Sequence, residues 1–183
     1  MATAAEYQSR IESLHWDGLR ALWSDIGQRD TPDWEPGKAF EYLVLRAFQL
    51  DGADVKWPYS VKLFEEEIEQ IDGVIHCEGL SCLAESKDFA KEAVDNGPVA
   101  KLRSQLLRRP TGTVGSIFSR TGFTGPARSL SYLALPQTVL LWNGQEIQYA
   151  LERERICRSL TLKYRACVAD GLTDYNTMEG IIP

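Results

Sequence analysis

The chain has 183 residues, of which 44% are hydrophobic and 25% are charged, and its formal net charge is −6. This length fits one domain with a proper core, and this composition excludes an intrinsically disordered chain. No apolar run approaches the roughly 20 residues of a membrane-spanning helix, and the N-terminal residues lack a signal-peptide pattern, so we expect a cytoplasmic protein.

The N-terminal part of the chain is predicted to be helical. Apolar residues recur at helical spacing over Glu6–Gly27, which predicts one amphipathic helix, and a polar connection with two prolines follows over Gln28–Pro36. We therefore predict that residues 1–33 form an N-terminal helical extension. It serves oligomerisation or partner docking, or it simply packs on the core.

A second helix is predicted from about Gly37 to Leu50, because Asp51-Gly52 is a helix-stop signal. Glu41 lies in its first turn and is followed one and two turns later by Leu45 and Phe48, so its carboxylate lies over apolar surface. Either the helix dipole favours an acid at this position, or Glu41 is a third acidic group that reaches toward the strands described next.

A strand is predicted over Val55–Leu63, where Pro58 indicates an edge position or a bulge. Two further strand-like runs, Ile68–Cys77 and Ser81–Lys87, flank Glu78-Gly79. We predict a β-hairpin with these two residues as its loop. Asp72 then lies opposite Glu85, and Lys87 projects from the same face of the sheet as Glu85.

Directly opposed carboxylates destabilise a sheet unless another group compensates their charge. Mg²⁺ accepts such hard oxygen ligands and keeps water in its remaining positions. Asp72, Glu85, the backbone carbonyl of Ser86 and a nearby lysine would then form a centre for phosphodiester hydrolysis. The alternative is a solvated hairpin in which Lys87 merely neutralises Glu85, and the hairpin alone leaves both interpretations open.

Charge is distributed unevenly on either side of residue 95. The segment Glu65–Glu92 is strongly acidic, whereas Val99–Leu130 contains no Asp or Glu. A metal site beside a track for phosphate groups has this distribution. The predicted nucleic-acid-binding residues are the basic side chains of the second segment, namely Lys101, Arg103, Arg108, Arg109 and Arg120.

The remaining elements alternate between helices and strands. We predict helices over Val99–Arg109, Thr124–Ala134 and Gln145–Val168, with Thr124 as an N-cap, and strands over Thr113–Ser119 and Thr138–Trp142. Alternation after an antiparallel start predicts a mixed α/β fold, with a mixed central sheet flanked by helices on both faces. The four cysteines lack a metal-binding spacing and are predicted to be reduced residues of the core.

These segments resemble the PD-(D/E)XK nuclease superfamily and, within it, the Mrr-like restriction endonuclease domain. The resemblance covers about Pro36–Leu151 and is carried by GKAFEYLVLRAF, GADV, QIDGVI, LAESK, SIFSRTGFTGPA and VLLWNGQEI. It implies a restriction-endonuclease-like α/β/α core over 34–151, with residues 152–183 as a C-terminal helix and tail packed on it. It also implies cleavage of DNA phosphodiester bonds that depends on Mg²⁺, with Mn²⁺ able to substitute.

The resemblance also implies roles for individual residues. Asp72 and Glu85 match the metal-binding acids, and Ser86 matches the residue whose backbone carbonyl is a further ligand. Lys87 matches the lysine that positions or activates the attacking water and stabilises the charged transition state. Glu41 matches the acid that many members carry in the first helix.

Two positions depart from the family pattern. Ile71 stands where the superfamily's name has proline, a change that removes no ligand. Glu85 stands where many Mrr-like members have glutamine, which supports metal binding.

The resemblance implies a restriction-type endonuclease of bacterial defence. No separate DNA-recognition domain is visible in the sequence, which favours action as a homodimer or as a subunit of a defence complex. Two alternatives stay open: a catalytically silent module of this fold that binds nucleic acid or a partner, and a nuclease of DNA repair or branched junctions.

Overall fold

The computed structural model describes residues 2–178, and the helices and strands below all lie within that range. The helices are α1 (Ala4–Glu12), α2 (Trp16–Gln28), α3 (Lys38–Leu50), α4 (Asn96–Leu106), α5 (Gly125–Leu133), α6 (Gly144–Arg153) and α7 (Ile156–Asp170). The strands are β1 (Asp54–Lys56), β2 (Tyr59–Leu63), β3 (Glu66–Ile71), β4 (Gly73–Cys77), β5 (Leu80–Lys87), β6 (Val114–Ser119) and β7 (Val139–Trp142). None of these helices is long and apolar enough to span a membrane.

Five strands form a mixed central sheet in the order β1-β4-β5-β6-β7, and β2 and β3 form a separate two-stranded sheet. The β1–β4 and β4–β5 pairs are antiparallel, whereas β5–β6 and β6–β7 are parallel. Every residue of β6 and β7 is buried, as expected of parallel strands covered on both faces.

The sheet separates two hydrophobic clusters. One cluster contains side chains of α1–α3, α6 and α7, and the other contains side chains of α4 and α5. Ile117 and Phe118 are successive residues of β6 and lie in different clusters, because side chains alternate between the faces of a sheet. The predicted fold class, a mixed sheet with helices on both faces, is confirmed.

The predicted helix over Glu6–Gly27 is wrong, because the segment forms two helices, α1 and α2. Arg46 of α3 stabilises the break, since its guanidinium donates hydrogen bonds to the backbone oxygens of Glu12 (2.8 Å) and Leu14 (3.0 Å). Side chains of both helices pack in the same cluster as α3. The N-terminal segment thus packs on the core, and its role in oligomerisation stays a prediction.

The predicted strands Val55–Leu63 and Ile68–Cys77 are also wrong in extent, because each is divided in two. Lys56 pairs with Val74 and Tyr59 pairs with Ile71, so one register continues across both sheets. The interruption falls at Trp57 and Pro58, where proline has no N–H to donate to the ladder. By this register Pro58 lies across from Asp72, which is therefore outside both ladders.

The turn between β4 and β5 is confirmed as a two-residue loop. Cys77 pairs with Leu80, and Glu78 and Gly79 both have positive φ, at 52° and 79°. These values suit a type I′ turn, the common connection of tight hairpins. The four cysteines are free thiols, three of them buried and Cys77 half-buried, as predicted.

The predicted helix over Gln145–Val168 is wrong as well, because α6 and α7 are separate helices. Glu154 ends α6 in the left-handed conformation (φ 56°), and the Asp51 carboxylate accepts a hydrogen bond from the backbone N–H of Cys157 (2.7 Å) in the first turn of α7. The residues that follow α7 run beside β7, since the backbone oxygen of Thr173 accepts a hydrogen bond from the N–H of Leu141 (2.9 Å). Residues 179–183 of the predicted C-terminal segment lie outside the described residues.

Candidate metal centre

Asp72 is held against the carboxyl end of β5. Its Oδ2 accepts a hydrogen bond from the backbone N–H of Ser86 (2.8 Å). The β4–β5 ladder starts at the pair Gly73–Ala84, so the predicted register holds up to the residue that follows Asp72. Because Asp72 lies between two ladders, its side chain is free to turn toward Glu85 and Ser86.

Glu85 is 1% exposed and is bound by two lysines. Lys87 Nζ lies 2.6 Å from Glu85 Oε1, which confirms that these side chains share one face of the strand. Lys101 of α4 donates to both carboxylate oxygens at 2.9 Å. Lys101 had been expected only among the phosphate-binding residues, and no pattern in the sequence indicates its contact with Glu85.

Glu41 is a third carboxylate and, like that of Glu85, its side chain is buried. Lys38 donates to both oxygens of Glu41 at 2.9 Å, one helical turn away. Burial raises the pKa of Glu41 to about 7; the negative charge of Asp72 adds to this rise, and Lys38 opposes it. The charges of Asp72 and Glu85 thus act on Glu41, and its role as a third acid of the site stays a prediction. The Lys38–Glu41 contact is not among the contacts predicted from the sequence, although its i,i+3 spacing on a helix indicates it.

The two central residues of the site have shifted pKa values. Burial raises the pKa of Asp72, and the nearby Glu85 carboxylate raises it further, against the opposing effect of the Ser86 N–H. Burial alone would lower the pKa of Lys87, but the neighbouring carboxylates, Glu85 foremost, hold it above its ordinary value. Lys87 is therefore an ammonium group, suited to electrostatic stabilisation rather than to proton abstraction.

Several observations bear on whether these residues fit a divalent cation. Asp72 and Glu85 offer hard carboxylate oxygens, and the pKa of Asp72 is raised by burial first and by the charge of Glu85 second, two effects that a bound cation would oppose. Within residues 2–178, no three His, Cys, Asp or Glu side chains lie close enough together to hold a metal ion. A cation would therefore need a backbone carbonyl and water as further ligands, and Glu85 would have to exchange a lysine for it. If Glu85 releases a lysine in this way, the two carboxylates, a backbone carbonyl and water are oxygen ligands of the kind that Mg²⁺ prefers.

The arginines predicted to bind nucleic acid are largely engaged by carboxylates. Arg108 and Arg109 both pair with Glu69, the latter at 2.7 Å, and together they hold the pKa of Glu69 below its ordinary value although burial would raise it. Arg120 pairs with Asp88 at 2.9 Å. The Nε atom of Arg103 is buried without a hydrogen-bond partner. Phosphate binding by these four arginines therefore stays a prediction.

Comparisons with known proteins give one similar structure and no family. No protein-family model matches the chain, and no curated protein matches it. Among solved structures it is similar to the MspJI restriction endonuclease in complex with a 27-mer oligonucleotide, at 19% sequence identity and a TM-score of 0.44. The match covers 96% of this chain and spans only 39% of that protein's length. Similarity at this level is too low to assign a role to any residue.

Proposed function

We propose that the chain is a metal-dependent nuclease that hydrolyses DNA phosphodiester bonds. The observation that carries this proposal is the convergence of Asp72, Glu85 and Lys87 at the end of β5. Lys87 Nζ lies 2.6 Å from Glu85, and Asp72 is bonded to the backbone of the residue between them at 2.8 Å. Buried Glu85 and part-buried Asp72 are like charges close enough for Glu85 to raise the pKa of Asp72, and binding a cation would account for their placement together.

Mg²⁺ is the proposed cofactor, with Mn²⁺ able to substitute, and Asp72, Glu85 and the Ser86 carbonyl would hold it. When bound, the ion lowers the pKa of a water molecule and offsets the charge of the phosphate group. Hydrolysis joins a water oxygen to phosphorus and breaks one P–O ester bond, with a proton from the water passing to solvent or to the leaving oxygen, so negative charge grows on the phosphoryl and leaving oxygens. Lys87 stabilises that charge and orients the water.

The lysines around Glu85 have a second role in this proposal. Glu41, Asp72 and Glu85 are balanced in charge by Lys38, Lys87 and Lys101, which contact Glu41 and Glu85. A dication held by this group would give it an excess of positive charge, and Lys87 and Lys101 could then attract a phosphate group. Lys87 and Lys101 are both partly exposed, at 27% and 45% of their side chains, so both can turn from Glu85 toward a substrate.

The biological setting is proposed from the sequence resemblance. The Mrr-like segments favour a restriction-type nuclease of bacterial defence, acting on DNA as a homodimer or as a subunit of a defence complex.

A cavity of about 380 Å³ beside Lys101, lined also by Gln105 and Arg108, offers room for a DNA backbone next to the site.

One observation favours a second candidate, a module of this fold that binds nucleic acid or a partner without catalysis. Both oxygens of Glu85 are already bonded to Lys101, and one also to Lys87. A site kept permanently in this state would bind no cation. The two candidates differ in whether Glu85 exchanges lysine for metal.

The deciding experiment is a cleavage assay. Plasmid, linear duplex and single-stranded DNA, RNA and a branched duplex are incubated with the protein in Mg²⁺, Mn²⁺ or EDTA. We expect degradation of DNA that requires the metal, is lost in Asp72→Asn and is strongly slowed in Lys87→Met. Preference for the branched duplex would redirect the proposal toward repair, and DNA binding without cleavage in either metal would support the silent module.

A further inference from the structure

A second basic surface lies on the other face of the central sheet from α4, which carries Lys101 and Arg103. It consists of Arg153 at the end of α6, Arg155 just before α7, and Arg158 and Arg165 on α7, and is called the arginine surface below. All four side chains are exposed. Within residues 2–178 none of them pairs with a carboxylate, although most other basic residues of the chain do.

These arginines form one continuous surface. Arg158 and Arg165 are seven residues apart, so they share one face of α7 and are separated by about 10.5 Å along its axis. Two cavities adjoin there, of about 430 and 380 Å³, and both are lined by Arg155, Arg158 and Leu162. Arg153 lines the first cavity and Arg165 lines the second. The guanidinium groups therefore line a groove.

The charge of this groove is not balanced by its own acids. Glu152 lines the first cavity and Glu78 lines the second, so two carboxylates stand against four guanidinium groups. By contrast, Glu69 and Asp88 engage three of the four arginines that were predicted to bind nucleic acid. Guanidinium groups without protein partners are suited to phosphate oxygens, which they bind with two parallel hydrogen bonds.

The position of the groove indicates the size of its ligand. Glu78 is in the turn that precedes β5, whereas Lys87 ends that strand. The eight residues of β5 place these ends about 23 Å apart, at 3.3 Å per residue. The path is longer than this distance, because α4, whose Lys101 contacts Glu85, and α7 pack on opposite faces of the sheet. A ligand that contacts both sites is therefore an extended polymer, longer than the roughly seven base pairs that would span 23 Å at 3.4 Å each.

We propose that the arginine surface binds the phosphodiester backbone of a nucleic acid while the candidate metal centre engages the same molecule. This inference rests on the proposed function, since it takes the substrate to be a polymer. The surface then supplies affinity and takes no part in bond cleavage. Its contacts are to phosphate groups, so it does not discriminate between base sequences.

The test compares Arg158→Gln/Arg165→Gln with Lys62→Gln/Lys91→Gln, a control that removes the same charge from two exposed lysines elsewhere. Binding of a labelled duplex of about 30 base pairs is measured in EDTA over a range of salt concentrations. Loss of two phosphate contacts is expected to weaken binding and to flatten the slope of log K against log salt by about 1.8, while the control keeps the wild-type slope. An unchanged slope in the arginine variant would overturn the inference.

Two further measurements separate the possible failures. The arginine variant is expected to cleave an oligonucleotide too short to reach the groove as fast as wild type does. If wild type cleaves no substrate but the arginine variant still loses its salt slope, the proposed function fails while the surface stands. If polyglutamate displaces the duplex from the arginine surface at an equal concentration of charges, the groove fits an acidic protein, and the inference is overturned.

Discussion

Two buried glutamates in this molecule carry lysine partners at nearly the same distance, yet their surroundings differ. Glu85 and Glu146 are each 1% exposed, and their closest lysine contacts, to Lys87 and Lys163, are 2.6 and 2.7 Å. Lys87 is 27% exposed, whereas Lys163 is fully enclosed. Solvent therefore reaches one pair and not the other.

The two glutamates also differ in whether backbone or side-chain groups make their other contacts. Glu146 accepts hydrogen bonds from the backbone N–H groups of Asn143 (3.0 Å) and Thr177 (3.1 Å), and Lys163 donates to the oxygen of Tyr175 (2.5 Å). This pair thus fastens the residues after α7 to the start of α6. Glu85 is contacted by lysine side chains, which can move. A buried ion pair is structural where its contacts are fixed by backbone, and available for exchange where they are mobile.

The largest effect is expected at the enclosed pair. Lys163→Met leaves Glu146 charged and without its cation in the interior, which should lower the free energy of unfolding by about 3–5 kcal/mol. Burial already lowers the pKa of Lys163 against the effect of Glu146, which shows that desolvation is the dominant cost. Urea unfolding measures the change.

Its control is the double variant Lys163→Met/Glu146→Gln, which also removes the stranded charge. We expect this variant to recover a large part of the loss. If Lys163→Met alone unfolds at the wild-type urea concentration, the comparison between the two pairs is wrong.

The second effect concerns activity. Lys87→Met should slow metal-dependent DNA cleavage by about 100- to 1,000-fold, the usual result of removing one group that stabilises transition-state charge. The free energy of unfolding should stay within about 1 kcal/mol of wild type, because Lys87 is partly exposed and Glu85 keeps Lys101. Cleavage rates and urea unfolding are measured together.

Lys91→Met is the matched control, since it removes an exposed lysine four residues further along the chain. It should cleave DNA at the wild-type rate. Equal loss of activity in both variants would mean that Lys87 contributes only general positive charge.

The third effect is a pH dependence of stability in the absence of metal. The folded-state pKa of Glu41 is raised to about 7 from an ordinary value of 4.5, so its contribution is fully present below about pH 4.5 and is lost as the pH rises through about 7. Glu41→Gln keeps a neutral side chain and should retain that contribution. Its advantage over wild type in urea unfolding should therefore grow between pH 5 and pH 8 by roughly 1 kcal/mol or more. A difference that does not change with pH would show that Glu41 ionises normally.

The smallest effect is expected at the N-cap of α6, which adjoins the enclosed Lys163–Glu146 pair. Asn143 accepts hydrogen bonds from the N–H groups of Gln145 and Glu146 at the start of α6, while Glu146 accepts from Asn143 in return. Asn143→Ala removes one half of this capping box and should cost about 1 kcal/mol of stability. Cleavage should be unaffected, because Asn143 follows β7, which lies two strands from β5 in the sheet. A loss of stability above that of Lys163→Met would mean that the cap, and not the enclosed ion pair, dominates this region.

Local signals in the sequence predicted several elements correctly. The bounds of α3, the Glu78-Gly79 turn and Thr124 as the N-cap of α5 all follow from residues within a few positions of each other. The placement of Glu85 and Lys87 on one face also follows from the alternation of side chains along β5. These features need no knowledge of distant contacts.

The features that were missed depend on residues far apart in the chain. The breaks between α1 and α2 and between α6 and α7 are stabilised by Arg46 and Asp51, which lie on or directly after α3. The strand break at Asp72 requires the register that places Pro58 across from it. Sequence alone gives the position of each proline or cap, but not which distant segment it meets.

The two basic regions give the same lesson for charge. The acid-free segment after residue 98 was predicted to be the positive surface, but Glu69 and Asp88, which precede it, neutralise three of its arginines. Residues 155–169 are likewise free of Asp and Glu, but their exposed arginines keep their charge uncompensated in the described structure. Net charge per segment therefore did not predict net charge per surface.

Metal binding to Asp72 and Glu85 is tested most directly by titrating Mn²⁺ into the DNA-free protein by calorimetry, with wild type, Asp72→Asn and the exposed-acid control Glu92→Gln compared. We predict saturable binding to wild type and to the control, and affinity at least about tenfold weaker in Asp72→Asn. The Asp72→Asn protein should remain folded in the absence of metal, because the substitution removes repulsion from Glu85. Equal Mn²⁺ affinity in all three proteins, or no binding to any of them, would contradict the assignment of this site.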